Sequence, residues 1–281
     1  MQTAEWKVTL RRLMKHKAAV WGAGLLFVLI LIAVFAKFIA PYPPNVGDFL
    51  VTLQPPNAAH WLGTDEQGRD LLSRLIFGTQ LSLVVGLISV AVGLVFGVTL
   101  GALAGYIGGW VDTVIMRVMD ILLAFPAILL AVAIVFMLGP GLEKAVIAVG
   151  IVSVPSYARI TRGSVLSVKE MDFVEAARAT GAGRNRILLK HVLPNIFAPL
   201  LVRSTLGTSE AILETAALGF LGLGARLPTP EWGLMLSRGS AHISDAPYLV
   251  YFPGIAITLA VLAMNLLGDG LRDALDPRLR Q

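Results

Sequence analysis

A chain of 281 residues that is 56% hydrophobic, 15% charged and has a mean hydropathy of +0.76 is not a soluble domain; it is a polytopic membrane protein. Its formal net charge of +5 does not mark a nucleic-acid binder, because the basic residues gather in particular segments between apolar runs and are not interleaved with stacking aromatics. It has no cysteine, and its histidines, His16, His60, His191 and His242, lie far apart, so neither a disulfide framework nor a metal site is legible.

In chain order, a basic arm (residues 1–17) precedes an apolar run of nineteen residues, Ala18 to Ala36, long enough to cross ~30 Å of hydrocarbon. The run ends in AKFIAPYPP with no small-residue cleavage site, which makes it an uncleaved first span and not a signal peptide. Residues 40–78 are rich in proline and turn formers and form a polar connection outside the bilayer. Within it, Thr64 is placed to cap a short helix with Asp65 and Glu66 in its first turn, or to cap a plain surface turn. The second span runs from Leu81 to about Gly105. Gly93, Gly97 and Gly101 recur every four residues along it, a small-xxx-small face that predicts close packing against another helix. Its GALAGYIGG stretch lacks the Lys-Ser/Thr ending of a phosphate-binding loop, so the chain itself carries no visible ATP site.

The third span, about Val114 to Leu138, holds Arg117 and Asp120 on one helical face and Pro126 inside it. The first two are placed to pair near the membrane surface and the proline to kink the helix, as packing features or as parts of a gate. The fourth span is short, Ala145 to Tyr157 or on to Ile160, and contains Pro155. The fifth, Ile196 to about Leu221, carries Arg203, Glu210 and Glu214. Charges at membrane depth rarely face lipid, so the two glutamates are read as lining a water-filled pathway or as pairing with a cation. After an external, proline-broken connection (222–248), Tyr248 to about Gly268 is the sixth span.

Between the fourth and fifth spans lies the longest polar interval, DFVEAARATGAGRNRILLKHVLPN, Asp172 to Asn195. Strong helix formers fill two arms, Gly181 and Gly183 sit where the backbone needs positive φ, and Pro194 ends the second arm. With the amino terminus inside, 16 Lys and Arg fall on internal segments against five on external ones, with Lys37 and Arg203 at or within spans. The positive-inside rule then places both termini and this polar loop in the cytoplasm.

The interval resembles the EAA loop of bacterial ABC importer permeases. Glu175, Ala176, Ala177, Gly181, Leu193 and Pro194 stand at that pattern's spacing, and His191 replaces its isoleucine. The order APY.P, LGTD..GRD.LSRL, AGY.GG, MR..D.....P, ALGFLGLG, PTPEWG.ML and GDGLRDALDPRL is similar to the C-type permease subunit of dipeptide importers, with oligopeptide, glutathione and nickel importers as near relatives. The resemblance implies an all-α, six-span permease of the type I ABC importer fold. Residues 1–77 would form the arm, first helix and external loop, 78–270 the permease domain with its coupling loop at 170–195, and 271–281 a cytoplasmic tail. It implies a homologous B-type permease partner, two ATP-binding subunits that hold the ATP and Mg, and an external peptide-binding protein, all at the bacterial cytoplasmic membrane. An ion channel or secondary transporter is the distant alternative. An enzyme is weaker still, since HExxH, GxSxG and a clustered Asp pair are missing from the sequence.

Overall fold

In lipid the backbone has only itself to bond with, so apolar runs of this length become helices. The computed structural model describes residues 13–275, and among these helix dominates. In chain order α1 is Lys17–Val34, α2 Leu71–Ile107, α3 Gly109–Leu123, α4 Ala127–Leu138 and α5 Leu142–Val168. They are followed by α6 Asp172–Ala179, α7 Arg184–Ile187, α8 Phe197–Phe220, α9 Trp232–Ser240 and α10 Tyr248–Leu275. Five stretches are individually long and apolar enough to cross a membrane, and α3 with α4, taken as one bent span, makes six. The basic residues Lys7, Arg11, Arg12, Arg278 and Arg280 of the two ends lie outside the described residues.

The glycine face behaves as its spacing predicts. Along α2, Gly93, Gly97 and Gly101 lie so close to α5 that a Cβ on them would sit 1.9 Å from Ser153 Oγ, 2.4 Å from Tyr157 Cβ and 2.3 Å from the Ala158 carbonyl oxygen. Tyr157, fully buried, is the large side chain of this seam. A second layer joins α1, α8, α9 and α10 around Leu29, Trp232, Leu249 and Ile257. Here α1 docks on α10 through small residues, with Gly22 against Ala263 and Leu266 and Gly270 against Ala19.

Several boundaries differ from the sequence expectation. Helix α2 starts at Leu71, ten residues before Leu81, because Asp70 caps it by accepting the Ser73 amide at 2.8 Å. Thr64 caps no helix. Its hydroxyl accepts the Gln54 amide at 2.9 Å and donates to the Val51 carbonyl, while Asp65 accepts the Gln67 and Arg69 amides and Arg69 Nε at 2.6 Å. Arg74 completes this buried hub by donating to the carbonyls of Pro44 at 2.8 Å and Pro228 at 3.1 Å, which ties the two external connections together. The fourth span is a 27-residue helix running through Pro155 to Val168, and the sixth continues to Leu275. The third span does not merely kink at Pro126: α3 and α4 meet at 95°.

The second external connection contains α9, whose first turn is capped by Glu231. Its two carboxylate oxygens accept the Gly233 and Leu234 amides at 2.7 Å each. Glu231 is only 3% exposed, and burial pushes its carboxyl up to about 7 although the two amides pull the other way. Because the folded protein then holds the proton that the unfolded chain releases near 4.5, stability falls as pH rises from about 4.5 to about 7 and is level above that. The full difference is on the order of 3 kcal/mol. Glu231→Gln removes this titration. In thermal unfolding in detergent, wild type minus Glu231→Gln should therefore be more favourable to wild type at pH 5 than at pH 7.5; an equal difference at both pH values would contradict the protonated carboxyl.

Candidate functional site

Two regions carry the polar chemistry. The first is the loop after α5. Its apolar side chains turn inward: Val174, Ile187, Val192 and Ile196 are buried in the same core as Val165 and Val168 of α5. Helix α6 ends in a Schellman motif. The Gly181 amide donates to the Arg178 carbonyl at 3.0 Å, and the Ala182 amide to the Ala177 carbonyl at 3.1 Å. Gly181 is the left-handed residue this cap requires, with φ of 81°, whereas Gly183 has φ of −67° and needs no glycine. The spacing from Ala177 to Gly181 is thus the spacing of a helix end. The tight cap turns the chain so that Ala182 packs on the core, and it leaves Glu175 and Ala176 exposed.

Pro194 does not stop the second arm. The chain winds from α7 through a π turn, Leu188–Val192, and a 3-10 turn, Leu193–Ile196, straight into α8. Leu193 packs against the core while Pro194 is exposed. The outer surface of the loop also shows Phe173 and Leu189, the latter 61% exposed. Apolar side chains held out on this capped bend make it a candidate docking surface.

The second region is a cavity of about 100 Å³ between α2, α5, α8 and the break of the third span. Ser89, Ser153 and Ser156 line it, with Arg203, Gly207, Glu210 and Glu214 of α8 and Leu122, Leu123, Phe125 and Ala127 from the break. Both glutamates of α8 border the cavity, but they differ in their partners. Glu210 takes Arg203 in a two-pronged pair, Nη1 to Oε1 at 2.8 Å and Nη2 to Oε2 at 2.7 Å. Glu214, one turn on, is half-buried and has no ion pair among the described residues. The pairing of Arg117 with Asp120 does not form. Asp120 instead binds Arg159 of α5 at 2.7 Å, both largely exposed, and one turn further along α5 Arg162 grips Asp112 with Nη2 at 2.6 Å from Oδ2. These rungs tie α3 to α5 near the polar loop. Arg203 reads in the sequence as a charge at membrane depth, whereas its pairing with Glu210 seven residues on is visible only in the structure.

Irregular backbone at membrane depth is stable only where it is buried in protein or borders water. The break between α3 and α4 meets that condition by lining the cavity. Residues 97–281 match the family described as the binding-protein-dependent transport system inner membrane component. The chain belongs to that family of permeases. Residues 5–56 match the N-terminal transmembrane domain of oligopeptide transport permease C, which agrees with the C-type order of motifs. The chain is 50% identical to the dipeptide transport system permease protein DppC of Alkalihalophilus pseudofirmus, over 98% of this chain and 90% of that one. It is 54% identical to the di/tripeptide transport system permease protein DppC of Pseudomonas aeruginosa, over 92% and 88%. It is 47% identical to the glutathione transport system permease protein GsiD of Pectobacterium atrosepticum, over 98% and 92%. The fold is that of the MetNI methionine ABC transporter, with a TM-score of 0.59 at 20% identity over 73% of this chain and 98% of the other. The permease is therefore an all-helical member of the type I ABC importer architecture, and a transport protein of a bacterial membrane.

Proposed function

We propose that this permease is the C-type half of an ATP-driven importer of di- and tripeptides. The identity of 50% and 54% to two permeases named for those cargoes, over nearly the whole chain, carries this reading. Glutathione, itself a tripeptide, is the second reading, supported by the 47% identity to a glutathione permease. A B-type permease supplies the other wall of the pathway, and a binding protein delivers cargo from the external side. Two ATP-binding subunits, which hold the ATP and Mg, receive the bend formed by Glu175, Ala176, Ala177, Gly181, Leu193 and Pro194. The exposed Phe173 and Leu189 give the bend an apolar surface to bury there. Both termini lie in the cytoplasm, on the side of that bend. The ion pairs Asp120–Arg159 and Asp112–Arg162 link the bend's parent helix α5 to α3, so movement at the loop reaches the break that lines the cavity. Glu210 and Glu214 border this section of the pathway, while Arg117 has no ion pair among the described residues and does not line the cavity.

The test is reconstitution. The chain, co-expressed with a B-type permease and ATP-binding subunits, should co-purify with them and move labelled Ala-Ala into vesicles only with binding protein and ATP, in preference to glutathione. A tag after Gln281 should be reachable only from the face that hydrolyses ATP. A chain that purifies alone and conducts without ATP would be a channel, and the proposal would be wrong.

A further inference from the structure

On α8 the residues Arg203, Gly207, Glu210 and Glu214 are spaced four, three and four apart and share one face. Gly207 has no side chain to fill that face, and a Cβ there would sit 2.6 Å from the Tyr157 hydroxyl. The Arg203 guanidinium lies 5.6 Å above the Tyr157 ring and closes both prongs on Glu210. Glu210 and Arg203 thus neutralise each other. Glu214 is left as a carboxylate with no cationic partner among the described residues, and it borders a cavity holding one cation and two anions.

The break in the third span adds to this negative end. Helix α3 finishes beside the cavity at Leu122 and Leu123; the Ala124 and Phe125 amides take the Asp120, Ile121 and Leu122 carbonyls, and Pro126 has no amide hydrogen to add. The final carbonyls of a helix carry the negative end of its dipole. Ser156 also lines the cavity, whereas the hydroxyls of Ser89 and Ser153 are already donated to the Val146 and Gly150 carbonyls. Glu214, the Ser156 hydroxyl and the end of α3 offer acceptors with no cation on them; besides hydroxyls, the cavity's side-chain donors are those of Arg203, whose two Nη atoms are held by Glu210 and whose Nε is buried without a partner. The complement is a small cation with several N–H donors. A metal ion fits poorly, since the described residues contain no group of three metal-ligating side chains.

We propose that Glu214, Ser156 and the carbonyl end of α3 form a transient subsite for the α-ammonium group of a peptide in transit, with Glu210 holding Arg203 away from it. The proposal rests on the peptide-import reading above and names the part of the cargo that this chain holds. A free amino terminus carries three N–H donors and one positive charge, which matches the acceptors and the missing cation. Transport requires such a site to bind and release readily, and a single half-buried carboxylate suits that better than a closed cage.

The experiment uses the assembled complex in lipid nanodiscs, without binding protein. Val152→Cys places a thiol in the cavity while leaving Glu214 and Ser156 in place, and because the chain has no native cysteine, labelling read by mass on this subunit reports that position alone. In the nucleotide state where the thiol reacts with a small water-soluble reagent, Ala-Ala should protect it and N-acetyl-Ala-Ala should not. Adding Glu214→Gln should raise the Ala-Ala concentration needed for protection by about tenfold or more, while the complex still co-purifies. Equal protection by the two peptides, or unchanged protection in Glu214→Gln, would overturn the ammonium subsite and leave the pathway in place. A thiol that is unreactive in every nucleotide state would mean that the partner permease fills the cavity, with a cation of its own on Glu214. That result overturns the subsite and this course of the pathway, whereas the import reading is decided separately by uptake of labelled Ala-Ala.

Discussion

Gly97→Val prevents the permease from assembling. A Cβ at this position would lie 2.4 Å from Tyr157 Cβ, 2.8 Å from the Val154 carbonyl oxygen and 3.1 Å from the Ala158 amide nitrogen. Two of these three are backbone atoms, so no rotamer change relieves the contact, and valine adds two methyl groups beyond the Cβ. Helices α2 and α5 would have to separate along the whole seam from Gly93 to Gly105, uncovering Tyr157. Overpacking of this kind costs about 3 kcal/mol or more, and in lipid no hydrophobic effect between helices offsets the lost close contact. The expected result is loss of the complex in size-exclusion chromatography and of co-purification with the ATP-binding subunits. Gly24→Val is the control: nothing lies within 4 Å of a Cβ there, and it should assemble normally. Normal assembly of Gly97→Val would mean that this seam is not where the two helices meet.

The seam was legible because a four-residue glycine repeat is a local property of one helix, and so was the helix end at Gly181. What the sequence hid is mostly tertiary. Hydropathy tracks the surrounding solvent and not the secondary structure, so the sequence suggests an end to α5 near Tyr157, where its residues turn polar, although the helix continues to Val168. Its Arg159 and Arg162 look like loop charges in sequence, yet they are the partners of Asp120 and Asp112 fifty residues or fewer away. That is also why pairing Arg117 with Asp120 failed: the three-residue spacing permits the contact, but a cation from the neighbouring helix takes it. The first turns of α2 were missed because Arg74 and Ser73 look too polar for a span. Both are buried, Arg74 by carbonyls of two distant prolines and Ser73 by its own helix cap. Pro126 was visible, but whether a proline bends a helix slightly or breaks it depends on what fills the gap. Here the gap is lined by side chains of three other helices.

The same distinction between local and tertiary causes gives the second large effect, at Gly181. Its φ of 81° is costly for any residue with a Cβ, and most of all for a β-branched one, yet nothing lies within 4 Å of where that Cβ would go. Gly181→Val therefore meets no clash, and its whole cost of about 1–2 kcal/mol falls on the backbone of the cap. Giving up the left-handed turn breaks the bonds from Gly181 to Arg178 and from Ala182 to Ala177, and swings α7 away from α6. The helices in the membrane are untouched, since Val174 and Ile196 anchor the loop on either side of the bend. If the bend is what the ATP-binding subunits grip, the expected outcome is a complex that still assembles but whose binding-protein-stimulated ATP hydrolysis and Ala-Ala uptake fall about tenfold or more, because the exposed Glu175 and Phe173 no longer stand in register with Leu189. Gly181→Asn separates shape from size: asparagine tolerates the left-handed region, so it should restore most of the uptake that valine removes. Equal loss with asparagine and valine would show that the position matters for something other than its φ, and uptake at the wild-type rate with valine would show that the bend does not carry the coupling.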